Sequence, residues 1–205
     1  MTRRLTEPRI VVATHNAGKL AEIRALLAPF GTEVVSAAEL GLPEPEETEQ
    51  TFIGNARIKA HAAARAAGLP ALADDSGIAI DGLDGAPGIH TADWAETPGG
   101  RDFVLAMTRA WEALEAAKAP EPRTARFLST LVLAWPDGHD EVFEGVLEGR
   151  CVWPMRGVEG HGYDPMFQPD GYETTLGEIG FAEKNRISHR ARALSKLVEA
   201  CLAPA

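Results

Sequence analysis

Two adjacent carboxylates and a hydroxyl, Asp74-Asp75-Ser76, stand between the apolar runs Leu72-Ala73 and Ile78-Ala79-Ile80. Carboxylates beside apolar chain carry a desolvation cost that a bound cation or a reacting proton can offset. The stretch is therefore a candidate metal or acid–base site. Asp, Ser and Gly are equally the residues of a polar strand-to-strand turn, and on these residues alone both readings stand.

Three other sets of residues could do chemistry with it. Thr14-His15-Asn16-Ala17-Gly18-Lys19 follows a β-branched run and precedes a helical pattern, a place where backbone N–H groups and the helix dipole favour an anion and Lys19 adds a mobile charge. It is not a P-loop, because Leu20 and not Ser or Thr follows the lysine; a capped helix start with a solvated lysine is the competing reading. Glu46-Glu47, in the acidic run Pro43–Glu49, could join Asp74-Asp75 in offering hard oxygen ligands to magnesium, or could be a solvated charge run. Near the C-terminus, Gly160-His161-Gly162-Tyr163-Asp164, Glu183-Lys184 and Ser188-His189-Arg190 combine an aromatic in a glycine-lined loop with cations, a combination suited to a planar base and a phosphate. His61, His90 and His139 show no ligand spacing.

The elements that must position these groups read as α/β. Arg9–Ala13 has the pattern of a buried strand, Leu20, Ile23, Leu26 and Leu27 recur at helical spacing up to Pro29, and a second strand follows near Val34. The prolines and repelling glutamates of 43–49 predict a loop, and the alanine-rich stretch Thr51–Ala67 predicts a helix ended by Gly68-Leu69-Pro70. Short strands are expected on either side of the acidic pair, then a packing helix over about Arg101–Ala117. The runs Ala125–Trp135 and Glu141–Leu147 around Pro136-Asp137-Gly138 predict an antiparallel hairpin, hence a mixed sheet. A loop-rich stretch from Met155 to Glu183 leads to Ser188 as N-cap of a last helix, Arg190–Cys201.

Composition sets the outer bounds. With 205 residues, 45% hydrophobic and 24% charged, one globular domain spanning 1–205 is expected. The net charge of −10 argues against a general nucleic-acid partner, and no run approaches the roughly 18 apolar residues of a membrane span, so cytoplasm is the expected compartment. Two cysteines, Cys151 and Cys201, without CxxC spacing suggest neither a disulfide framework nor a zinc site.

Taken in order, ATHNAGKLAEI, EETEQTFIGNARIKA, LADDSGIAIDGLDGAPGIHTA, GHGYDPMF and EKNRISHRARAL resemble the Ham1/inosine triphosphate pyrophosphatase family over about Ile10–Leu197. The resemblance implies an elongated mixed sheet flanked by helices, in two lobes with an active-site cleft between them, and a homodimer. It implies Mg²⁺-dependent hydrolysis of ITP, dITP and XTP to the monophosphate and pyrophosphate. By the same resemblance Glu47 and Asp75 hold the metal, Glu46 and Asp74 being their neighbours, and Asp75 is the catalytic proton acceptor. Thr14, His15, Asn16, Ala17, Gly18, Lys19 and Lys59 receive the triphosphate. Ser76, His161, Gly162, Tyr163, Asp164, Lys184, His189 and Arg190 bind the rest of the nucleotide, mostly the base. His15 replaces a Gly of many relatives and His161 a Phe, changes that bear on substrate preference. The alternatives are a pyrophosphatase for another modified nucleotide and a catalytically silent nucleotide-binding regulator.

Overall fold

Side chains alternate along a strand, and here that alternation sorts the apolar residues onto two faces of one sheet. The computed structural model describes residues 2–202. Its elements are β1 (Arg9–Val12), α1 (Ala17–Leu27), β2 (Glu33–Ser36), α2 (Phe52–Ala67), β3 (Ala71–Ile80), β4 (Glu96–Thr97), β5 (Gly100–Arg101), α3 (Phe103–Ala116), β6 (Thr124–Ala134), β7 (Asp140–Cys151), β8 (Phe167–Pro169), α4 (Phe181–Ile187) and α5 (His189–Leu197), with a closing π-turn at Val198–Leu202. The main sheet has the order β2-β1-β3-β6-β7-β8, and β4 pairs with β5 apart from it. β1 runs parallel to both β2 and β3, with Val12 opposite Ser36 on one side and Leu72 on the other, whereas β7 and β8 are antiparallel. The sheet is mixed, as expected from a strand-helix-strand start and a later hairpin.

The chain divides into two compact units. The first holds the residues up to Asp75, Ser129–Gly145 and those from Arg190 on. In it Ile10, Val12, Leu72, Leu131 and Leu133 pack with Ile23 and Leu27 of α1 and Leu194 and Leu197 of α5. The alternate residues Val11, Ala13, Ala71, Ala73, Val132 and Ala134 pack with Ala56, Ala60, Ala63 and Ala64 of α2. Thr51 caps α2 by accepting from the Gly54 N–H at 3.0 Å, and Gly68 ends it at φ 64°, a left-handed conformation that glycine adopts without strain. The second unit, Ser76–Leu128 and Val146–His189, has its own core of Ile78, Ile80, Met107, Leu114, Phe127, Phe167 and neighbours, with α3 packed against them.

Two sequence expectations need correction. The acidic pair does not sit in a turn between two short strands: β3 is one strand of ten residues running through it. Turn propensity loses because each carboxylate meets cationic partners on its own side of the strand, Lys19 and Arg190 for Asp74 and Lys59 for Asp75. The stretch Met155–Glu183 is also less irregular than expected, containing a 3₁₀ turn at Asp164–Met166, β8 and the start of α4. Ser188, extended at φ −61° and ψ 157°, separates α4 from α5, and helix resumes at His189, one residue before the expected start.

Candidate active site

Because Asp74 and Asp75 are neighbours on a strand, their side chains leave on opposite faces, and they meet different partners. Asp74 enters the α1 and α5 side, fully buried. Its Oδ2 lies 3.0 Å from Lys19 Nζ and 3.0 Å from Arg190 Nη2, while Oδ1 accepts from Ser129 Oγ at 2.7 Å. Arg190 also pairs with Glu22, so Lys19, Asp74, Arg190 and Glu22 form a buried chain of alternating charge. Burial works against the Asp74 charge, but Arg190 and Lys19, with Ser129, hold its carboxyl well below the usual carboxylate range.

Asp75 enters the α2 side. There Lys59 Nζ donates to Asp75 Oδ1 at 3.0 Å, to Glu47 Oε1 at 2.9 Å and to the Asp74 carbonyl at 3.2 Å. Lys59 reaches them because the alanines around it let α2 approach the sheet closely; Ala56, Ala60 and Ala63 share its buried face. One turn earlier on α2, Asn55 Oδ1 accepts from the Glu49 N–H at 3.0 Å and pins the acidic loop. Burial pushes the Asp75 carboxyl up; Lys59 and Lys19 pull it back without cancelling the rise, to which Glu47 adds. Lys59 is pushed down by burial, yet Asp75 and Glu47 outweigh this and hold it protonated.

The strand-to-helix turn closes the same unit's site. Thr14 Oγ1 accepts from the Asn16 N–H at 3.1 Å, and Asn16 Oδ1 accepts from the Lys19 N–H at 3.0 Å, making Asn16 the N-cap of α1. This leaves the first-turn amides of Ala17 and Gly18 at a helix N-terminus, where an anion is favoured. The His15 ring is directed to the acidic loop, with Nε2 3.2 Å from the Leu42 carbonyl oxygen. The first unit thus brings together Thr14, His15, Asn16, Ala17, Gly18, Lys19, Glu47, Lys59, Asp74, Asp75 and Arg190; Glu46 is exposed beside Glu47.

The remaining predicted residues belong to the second unit. Asp164 is buried, and its Oδ2 accepts from Lys184 Nζ at 2.6 Å and from the His161 N–H at 2.8 Å, so it folds the Gly160–Asp164 loop around itself. Gly160, at φ 74°, is required there: a Cβ would lie 2.1 Å from that same Oδ2. The His161 side chain is exposed and Gly162 half-buried. Tyr163 turns inward, 1% exposed, its ring edge-on to Phe103 at 6.2 Å. His189 is buried and stacks on Phe127 at 4.9 Å and 13°. Ser76 is half-buried, the first residue of β3 beyond Asp75.

Whether a cation fits can be judged from the donors. Two carboxylates, Glu47 and Asp75, share one ammonium, and Asp75 Oδ2 is buried without a hydrogen-bond partner. An unsatisfied buried carboxylate oxygen in a site with surplus negative charge suits a hard cation. Among the described residues no three His, Cys, Asp or Glu side chains gather as a metal cage; a magnesium ion held by one or two carboxylates and by substrate phosphates needs none.

Sequence reading passed over Glu22, Ser129, Asn55 and Phe127. Two carried a signal. Glu22 lies three residues after Lys19 and so shares its helix face, and Ser129-Thr130 interrupts the apolar run Phe127–Trp135 with hydroxyls. Asn55 and Phe127 gain meaning only from what folds against them.

Residues 10–200 match the model of the Ham1 family. The chain is 68% identical to a dITP/XTP pyrophosphatase of Ruegeria pomeroyi, covering 98% of each chain, and 58% identical to one of Agrobacterium fabrum, covering 98% of this chain and 99% of that one. Its fold is similar to that of a HAM1 protein from Coxiella burnetii, with a TM-score of 0.85 and 38% identity over 93% of this chain and 96% of the other. The Ham1 protein of Staphylococcus aureus is also similar, with a TM-score of 0.79 and 29% identity over 92% and 95% of the two chains.

Proposed function

Since the chain belongs to the Ham1 family, we propose that it hydrolyses the deaminated purine nucleoside triphosphates ITP, dITP and XTP to the monophosphate and pyrophosphate. The enzyme class is that of its relatives, a nucleoside triphosphate pyrophosphohydrolase. The observation in the site that carries the reading is the convergence of Glu47 and Asp75 on Lys59, with one Asp75 oxygen left over.

Each group then has a role. The backbone amides of the Thr14–Lys19 turn and the Lys19 and Lys59 ammonium groups bind the phosphates and stabilise charge that grows on them as water attacks the α-phosphorus. Glu47 and Asp75 would hold Mg²⁺, which would neutralise phosphate charge and acidify water. Asp75 Oδ2 takes the proton of the attacking water; a carboxyl raised by burial is a better base than an exposed one. Asp74 has no part in proton transfer: its depressed carboxyl stays ionised and orients Lys19 and Arg190.

In the second unit, Ser76, His161, Gly162, Asp164, Lys184 and His189 bind the nucleoside end, with Tyr163 as buried support. Donors there that pair with a 6-oxo group stay unpaired against the 6-amino group of adenine, a mismatch worth factors of about 10⁴ or more. The match over 10–200 supports one catalytic domain. Resemblance to the family supports a homodimer in the cytoplasm, and the net charge of −10 argues against nucleic acid as partner. Among the described residues no helix is long and apolar enough to cross a membrane.

The test is product identification with ITP, dITP, XTP, ATP and GTP, with Mg²⁺ and after its removal by EDTA. Pyrophosphate release from the first three, abolished by EDTA, is expected. Orthophosphate as the first product, or equal turnover of ATP and ITP, would refute the reading.

A further inference from the structure

The phosphate-binding turn and the acidic loop of residues 42–50 are joined through His15. Its Nε2 lies 3.2 Å from the Leu42 carbonyl oxygen and its Nδ1 3.7 Å from Glu44 Oε2. A carbonyl only accepts, so Nε2 carries a proton and donates. Behind this contact is an apolar cavity of about 100 Å³ lined by Ala13, Ala37, Leu42, Pro43, Pro45 and Ala63, with Lys59 in its wall. Leu42 packs on the α2-side core and donates its N–H to the Ala37 carbonyl at 2.9 Å, but beyond it the void leaves the lining without dispersion partners, so close apolar packing does not seat the rest of the loop. Polar ties hold it: His15 at the Leu42 carbonyl, Lys59 at Glu47, and Asn55 at the Glu49 N–H. Between the first two, Pro43 and Pro45 have fixed φ, which limits how far Glu47 can move independently of Leu42.

We propose that His15 is a positioning residue whose ring fastens the acidic loop, and so Glu47, against the Thr14–Lys19 turn, instead of contacting substrate. The proposal rests on Glu47 being a metal ligand as read above. It makes the phosphate turn and the metal carboxylate one assembly: a displaced loop changes the demand for Mg²⁺ before it changes the chemistry.

The test compares His15→Ala and His15→Gln with the unaltered protein, since a glutamine amide can still donate to the Leu42 carbonyl. Cleavage of the metal-free protein by a glutamate-specific protease is followed by mass spectrometry after Glu46, Glu47 and Glu49. Where reclosing is faster than cutting, its rate follows the population of the open loop. His15→Ala is expected to be cut about fivefold faster, the factor for losing one hydrogen bond of ordinary net strength, and His15→Gln within about twofold of the unaltered rate. With ITP, the Mg²⁺ concentration for half-maximal activity should rise by a similar factor of about five in His15→Ala, and its deficit should narrow at high Mg²⁺. Unchanged cleavage overturns the fastening, and faster cleavage with an unchanged Mg²⁺ requirement overturns the link to Glu47. A wild-type protein inactive on ITP would sink the functional reading, whereas the cleavage rates would still decide the fastening.

Discussion

Asp74→Asn is the most searching perturbation, because it removes one charge and little volume from the centre of the buried ion chain. The Ser129 hydroxyl can still donate to the Asn oxygen, and Arg190 keeps Glu22. What is lost is the anion between Arg190 and Lys19, each 3.0 Å from Asp74 Oδ2. A hydrogen bond to a charged group contributes about 1.5–3 kcal/mol, and breaking a buried pair costs about 3–5 kcal/mol. Lys19 is 18% exposed and regains some water, which places the loss near about 3 kcal/mol. For a chain of this size that lowers the melting temperature by about 6–12 °C. The pH dependence gives a second, independent reading. The native Asp74 pKa is depressed, so its contribution is fully present above the unfolded value of about 3.9 and disappears as pH falls through the native pKa. Urea titrations of both proteins from pH 8 to 3 should show a constant gap down to about pH 5 that narrows below about pH 4. A loss under about 1 kcal/mol at neutral pH, or a gap that widens in acid, would refute the buried chain as described.

Asp75→Asn should lower pyrophosphate release by about 10²–10⁴. Its melting temperature should hold or rise at pH 7, since burial makes the charged native carboxyl unfavourable above its unfolded pKa; a large thermal loss would contradict this. Gly160→Ala places a methyl on Asp164 Oδ2 at a positive φ, and is expected to raise KM for ITP at least about tenfold, the effect of about 1.4 kcal/mol, through the displaced Asp164–Lys184 pair. An unaltered KM would show that the loop does not touch substrate. Burial pushes the Cys151 thiol up to about 12 and the Cys201 thiol up to about 11. Iodoacetamide at pH 8 should leave both unmodified in the native protein and label both in urea; rapid native labelling would place them at the surface.

Much of the local structure was legible because it follows from neighbours in the chain. The β-branched run at Arg9, the spacing of Leu20, Ile23 and Leu27, the alanine-rich helix and the Pro-Asp-Gly hairpin all act within a few residues, and each element formed where its pattern lay. The acidic pair shows where such reading stops. Local propensity left a turn at Asp74-Asp75-Ser76 open, whereas Lys19 and Arg190 on one face and Lys59 on the other allow an extended strand to bury both carboxylates. Burial of charge depends on partners far along the chain, and no window around position 74 contains Arg190.

By itself, the sequence determined the class of the fold, the elements and the kinds of groups available: carboxylates for a cation, a helix start and lysines for phosphate. It also carried the resemblance that names the reaction. That resemblance gave Asp75 the metal and the proton, and only the tertiary structure supplies the physical difference between the two carboxylates. Strand alternation sends Asp74 to a complete set of cations and a hydroxyl, leaving it ionised and occupied, and sends Asp75 to a single shared ammonium, leaving one oxygen unsatisfied. Two identical side chains one bond apart in sequence thus acquire opposite acidities, because acidity is set by the field and the solvent around a carboxyl and both are supplied by the fold.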